Sequence, residues 1–385
     1  MRMVRKGTAV LLALGLMAIP TALAEEDALV ARVAAMSLRE KVGQMFIVRP
    51  DALERSFGPA ELEDTGITGV TEVTQGMREV YARYPCGGFA VFGKNIVSPD
   101  QLRTLTESLH ALNELTPLLA IDEEGGSVAR IANHAADFGV ERFPSMSEIA
   151  ASGDPERAYR AGLAIGRYLR AYGFDVDFAP VADVNTNPLN PIIGSRAFGD
   201  DPVIAARMVR EMVRGLHEGG VGSCLKHFPG HGDTLTDTHT GYAETLKSWE
   251  ELLACEMLPF RSGMAAGTDF VMTAHIAAPK VTGGSEPATM SAVILTEKLR
   301  GELGYEGLII TDALAMGAIR ERYTAAEACV LCIQAGADML LMPYDYFEAF
   351  DGVARAVEEG RIPEERIDES VCRILRFKRD RMGVL

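Results

Sequence analysis

The chain has 385 residues, of which 48% are apolar and 24% charged, and a net charge of −16 at neutral pH. That composition supports a large folded core and excludes a disordered or fibrous chain. Its acidic balance repels nucleic-acid phosphates and anionic lipid surfaces, so neither nucleic acid nor a membrane is expected as a partner.

The first element is an export signal. Arg2, Arg5 and Lys6 precede the apolar run TAVLLALGLMAIPTALA, which ends in Ala22-Leu23-Ala24. A basic head, an apolar middle and small residues at −3 and −1 predict a cleaved secretory segment over residues 1–24. The run approaches the length of a membrane span, but Pro20 and the Ala-x-Ala ending favour cleavage after Ala24. No cysteine stands near that junction, so a lipid anchor is not expected. Cleavage removes three basic and no acidic residues, which takes the net charge from −16 to −19. The remaining chain, 25–385, is expected to be periplasmic or secreted and monomeric.

Eight short apolar runs follow: 43–48, 87–92, 118–121, 176–182, 222–228, 269–275, 307–311 and 338–342. Stretches of helical length separate them, such as SPDQLRTLTESLHALNEL and DPVIAARMVREMVRGLHEGG. Apolar runs without in/out alternation predict a parallel sheet covered by helices. Eight such units in a chain with no Pro-, Gly- or Ser-rich linker predict a single-domain (β/α)8 TIM barrel. Residues 49–82 form a long excursion after the first strand and are expected to be a rim insertion or an edge helix. Asp122, Asp183, Lys226-His227, His275 and Asp312 all fall at or just beyond the carboxyl end of a run. In a barrel those ends converge on one rim, where active sites are built.

Six cysteines are irregularly spaced, with Cys224 and Cys329 in core-like runs and Cys329 and Cys332 on one helical face. Buried free thiols are the expectation, although export permits disulfides.

The densest cluster of reactive side chains is KHFPGHGDTLTDTH, residues 226–239, which holds three of the seven histidines and two aspartates. His227 and His231 have the spacing of a helical zinc pair. Pro229 and Gly230 between them break the helix such a pair requires, so a metal is not favoured. The stretch from Asp233 to Tyr242 is polar and without apolar periodicity, as expected for an exposed, mobile loop. In extended backbone Asp237 and His239 project to the same side. A carboxylate on Nδ1 fixes an imidazole's tautomer and leaves Nε2 to exchange a proton near neutral pH. Such a pair could equally be incidental to a solvated loop, and Asp312 could be no more than a helix cap.

Taken together, MSLREKVGQM, IDEEGGSVARI, GFDVDFAPVADV, IIGSRAFGDD, KHFPGHGDT with its trailing DTH, VMTAHI, EPATMS, ITDALAM and AGADMLLMP resemble glycoside hydrolase family 3, in its β-N-acetylglucosaminidase branch. The likeness covers nearly all of residues 25–385. It implies that Asp312 is the nucleophile of a retaining mechanism and His239, supported by Asp237, the acid/base. It further implies that Asp122, Arg130, Arg196, Lys226 and His227 bind the sugar, with no metal or cofactor. The implied substrate is a terminal β-linked N-acetylglucosamine of peptidoglycan fragments or chitin oligosaccharides. A retaining glycosidase needs one attacking carboxylate and one proton donor. Relatives acting on glucosides take that donor from a second domain, whereas here it is expected to come from the barrel. Thr238, Ala313 and Glu123 depart from residues common in the family and bear on substrate preference. A phosphorylase using the same intermediate, a metal-dependent hydrolase and a catalytically silent sugar-binding barrel are the alternatives.

Overall fold

The computed structural model describes residues 26–64, 66–235 and 243–384. The segment 1–24, expected to be an export signal, and the Asp237–His239 pair lie outside the described residues. Eight parallel strands form the central sheet: β1 Phe46–Val48, β2 Gly88–Ala90, β3 Leu118–Ile121, β4 Val176–Asp177, β5 Gly222–Phe228, β6 Phe270–Thr273, β7 Leu308–Thr311 and β8 Leu340–Leu341. Each lies within one of the eight apolar runs, and all are fully buried, as strands covered on both faces must be. They pair in the order β7-β6-β5-β4-β3-β2-β1-β8. Register is set by pairs such as Ile47 with Gly88, Ala120 with Val176 and Phe46 with Leu340. A parallel bridge between Ile310 and Met339 brings β7 beside β8 and closes the barrel.

The crossover helices begin where local chemistry starts them. Ser98-Pro99, Asp154-Pro155 and Asp201-Pro202 each place a capping oxygen just before a proline at the first helical turn. The cap satisfies amides that have no partner within the helix, and proline has no amide to satisfy. Helices Pro155–Ala171 and Pro202–Gly219 pack on each other through Gly162, Gly166, Gly215 and Gly219. A Cβ at Gly215 would strike the Tyr159 carbonyl. The second helix stops at Gly220, whose φ of 97° suits glycine.

The 49–82 excursion reaches the rim and carries a helix, Gln75–Arg83. It is tied down by buried Asp51, whose oxygens accept the Val70 amide at 2.9 Å and Asn95 Nδ2 at 2.8 Å. All six cysteines are free, and Cys86, Cys224, Cys329 and Cys332 are buried. Cys255 and Cys372 are only partly covered, which corrects the expectation of uniform burial. Cys372 lies on the outer helix Glu364–Phe377, and Cys255 in the turn that follows the helix Trp249–Ala254. No helix among the described residues is long and apolar enough to cross a membrane.

Candidate active site

At the carboxyl ends of the strands lies a cavity of about 280 Å3. Asp122, Arg130, Arg196, Lys226, His227 and Asp312 all line it, so the fold brings together every described residue of the expected site.

Asp122 follows β3, and Lys226 lies within β5. Nζ of Lys226 is 2.8 Å from Asp122 Oδ1 and 2.6 Å from Glu124 Oε1. Glu124 is also gripped by Arg196, with Nε at 2.9 Å and a terminal nitrogen at 2.7 Å, in the two-pronged geometry a guanidinium offers. Arg130 completes the ring at 3.3 Å from the other oxygen of Asp122. Burial works against ionisation of Glu124, but Lys226 and Arg196 outweigh it and hold the carboxyl at about 2. The same contest keeps Asp122 low, with burial opposed by Lys226 and Arg130. Lys226 is buried and would be pushed down, yet its two carboxylates raise it. Asp122, Glu124 and Lys226 are therefore ionised at neutral pH.

Asp312 stands one residue beyond β7 and is half-buried. Its amide donates to the Thr273 carbonyl at 3.0 Å, and its Oδ1 accepts the Ala313 amide at 2.7 Å. Burial raises this carboxyl, while His227, His275, the Ala313 amide and Lys226 together hold it below the ordinary range. His275, at the end of the β6 run, is fixed by a 2.9 Å contact between Nε2 and the Ala313 carbonyl. Asp312 thus presents an ionised carboxylate to the cavity, with apolar Met272, Met316 and Met342 among its walls.

Sequence reasoning missed several cavity residues. Glu124 is the largest omission, since it anchors both Lys226 and Arg196. Arg49 and Glu63 from the excursion reach the cavity mouth and pair at 3.0 Å. The guanidinium carbons of Arg49 and Arg130 lie 4.8 and 5.5 Å from the centre of the Phe92 ring. Glu123, noted only as a departure from the family pattern, faces away from the cavity. Its carboxylate accepts the Arg130, Ile131 and Ala132 amides at 2.6–2.9 Å and the Tyr168 hydroxyl at 2.9 Å. It therefore shapes the loop that carries Arg130.

His227 and His231, weighed above as a zinc pair, have ring centres 6.0 Å apart. Each ring is engaged elsewhere: Nδ1 of His227 lies 2.7 Å from Asp183, and Nδ1 of His231 lies 2.7 Å from the Thr234 hydroxyl.

A closed parallel barrel whose strand ends converge on an ionised aspartate within a ring of paired charges is the architecture of a (β/α)8-barrel enzyme. The family model of the glycosyl hydrolase family 3 N-terminal domain matches residues 37–377, and the chain belongs to that family. It is 34% identical over 334 residues to beta-hexosaminidase A of Pseudoalteromonas piscicida, which covers 80% of this chain and 56% of that protein. A beta-hexosaminidase of Stenotrophomonas maltophilia is 34% identical over 299 residues, 76% of this chain and 86% of its own length. Among solved structures, a family 3 beta-N-acetylglucosaminidase from a Paenibacillus species superposes with a TM-score of 0.82 at 38% identity. That match covers 90% of this chain and 63% of that one, so the chain spans little more than half the length of some relatives.

Proposed function

We propose that the chain is an exported retaining β-N-acetylglucosaminidase that removes terminal β-linked N-acetylglucosamine from peptidoglycan fragments or chitin oligosaccharides. The observation that carries this reading is the Asp312 carboxylate, kept ionised at the wall of a cavity ringed by paired charges. A volume of about 280 Å3 is near the lower end of ligand pockets, roughly 300–1,000 Å3, and suits one sugar unit rather than a chain. The methionines offer a surface for the methyl of an acetamido group.

In this reading Asp312 attacks the anomeric carbon as the bond to the leaving oxygen breaks, and His239, oriented by Asp237, protonates that oxygen. Water then attacks the glycosyl ester, His239 takes its proton, and the Asp312 carboxylate departs with retention of configuration. A slowly turned-over fluorinated N-acetylglucosaminyl analogue tests the assignment by trapping the ester for peptide mapping. Label is expected on the peptide containing Asp312, and label on any other peptide overturns the reading. Assays with and without phosphate separate hydrolysis from phosphorolysis, since sugar-1-phosphate as the main product would exclude a hydrolase.

A further inference from the structure

Asp183 is buried and outside the lining of the cavity, yet both of its oxygens are tied to residues of the site. Past β4 the chain stays alongside β5: Val181 bridges Lys226, and the Ala182 amide donates to the Lys226 carbonyl at 2.7 Å. The next residue is therefore delivered against His227. One oxygen of Asp183 meets His227 twice, at 2.7 Å from Nδ1 and 3.1 Å from its amide. The other oxygen accepts the His231 amide at 2.7 Å. An ionised carboxylate only accepts hydrogen bonds, so Nδ1 of His227 must carry the proton. With Nδ1 committed, Nε2 is the ring nitrogen left to meet a ligand in the cavity that His227 lines. Burial raises the Asp183 carboxyl, but His227, His231 and the His231 amide outweigh it and keep the group ionised.

We propose that Asp183 is the positioning residue of the site: it locks His227 in the Nδ1–H form and aims Nε2 at a sugar hydroxyl. That this ligand is a sugar rests on the function proposed above. Asp183→Asn is the informative change. An amide has one acceptor oxygen and one NH2 group, whereas Asp183 receives three N–H groups on two oxygens. With the NH2 group towards His227 a donor faces Nδ1–H, and relief of that contact comes when His227 moves its proton to Nε2; with the NH2 group towards His231 it faces a backbone amide that cannot give way.

Two measurements on the full chain test this. The first is the 15N imidazole spectrum of the histidine-labelled protein, with His227 assigned by its loss in His227→Ala. A proton on Nδ1 is expected in the parent, and an unprotonated Nδ1 overturns the proposal whether or not Asp183→Asn folds. The second is a kinetic cycle on an aryl N-acetylglucosaminide with Asp183→Asn, His227→Ala and the double variant. Asp183→Asn is expected to lower kcat/KM about 100-fold, in the range seen when the partner of a functional histidine is removed. The double variant should be no worse than His227→Ala, because the aspartate acts through the imidazole. Losses that multiply would show that Asp183 acts independently of His227. A parent that turns over no N-acetylglucosaminide would defeat the proposed function, while the imidazole spectrum would still decide the role of Asp183.

Discussion

Replacing Glu124 with glutamine preserves shape and removes one charge from the paired ring. Glu124 is 1% exposed, 2.6 Å from Lys226 and doubly bonded to Arg196. Its carboxyl is held at about 2 against an ordinary 4.5. Because the folded value is depressed, the stabilisation is fully present above pH 4.5 and is lost as pH falls towards 2. At about 1.4 kcal/mol per pH unit, the difference amounts to about 3 kcal/mol at pH 7 and about 1 kcal/mol at pH 3. Glu124→Gln is therefore expected to be less stable than the parent at pH 7, with the gap narrowing by nearly 2 kcal/mol on going to pH 3. Urea unfolding at each pH reads this directly. Trp249, the one tryptophan, is 6% exposed and reports unfolding by its fluorescence. A gap that stays constant from pH 7 to pH 3, or a variant more stable than the parent at pH 7, would refute the electrostatic account of the ring.

Three further outcomes are expected. His239→Ala should lower turnover of natural glycans by about 10²–10⁴-fold, the usual worth of a general acid, and spare aryl glycosides whose leaving groups need little protonation; equal losses on both substrates would remove the acid role. Gly232→Ala should cost about 1–3 kcal/mol in urea unfolding, because the new methyl would run into the Val184 carbonyl and push the β4 and β5 loops apart. Tyr168→Phe should cost about 1–2 kcal/mol by leaving Glu123 short of one partner, and unchanged stability would show that Glu123 does not need the hydroxyl.

The barrel was legible because a strand buried on both faces has to be a continuous apolar run, and eight of them stand in the sequence. The rim residues were legible for a related reason, since a charged residue directly after such a run has nowhere to lie but the strand's carboxyl end. Glu124 could have been found by the alternation that was applied to Asp237 and His239. Asp122 and Glu124 are two apart in extended backbone and project together, while Glu123 between them turns the other way. The β-pairing of Glu123 with Ala129 bears this out, as do the three backbone amides its carboxylate accepts. What no local pattern could supply is the pairing of Asp183 with His227, 44 residues apart, or of Glu124 with Arg196, 72 residues apart. Those contacts follow from which strands become neighbours and in what register, and that is decided only when the barrel closes.

The balance of charge around the cavity bears on what it can hold. Among the described residues lining it, Arg49, Arg130, Arg196 and Lys226 face Glu63, Asp122, Glu124 and Asp312, four cations against four carboxylates. Arg49 is paired with Glu63, Arg130 with Asp122, Arg196 with Glu124, and Lys226 with both Asp122 and Glu124. An anionic ligand would have to displace a carboxylate from its cation and leave a buried charge uncompensated, which is costly. A hydroxyl has no such difficulty, because it donates one hydrogen bond and accepts others. Set between a paired cation and carboxylate, it serves both and disrupts neither. A neutral ring of hydroxyls is therefore the ligand this arrangement accommodates at least electrostatic cost, and the one ion in the set without a formal partner cation is Asp312, the carboxylate the proposed chemistry needs free to attack.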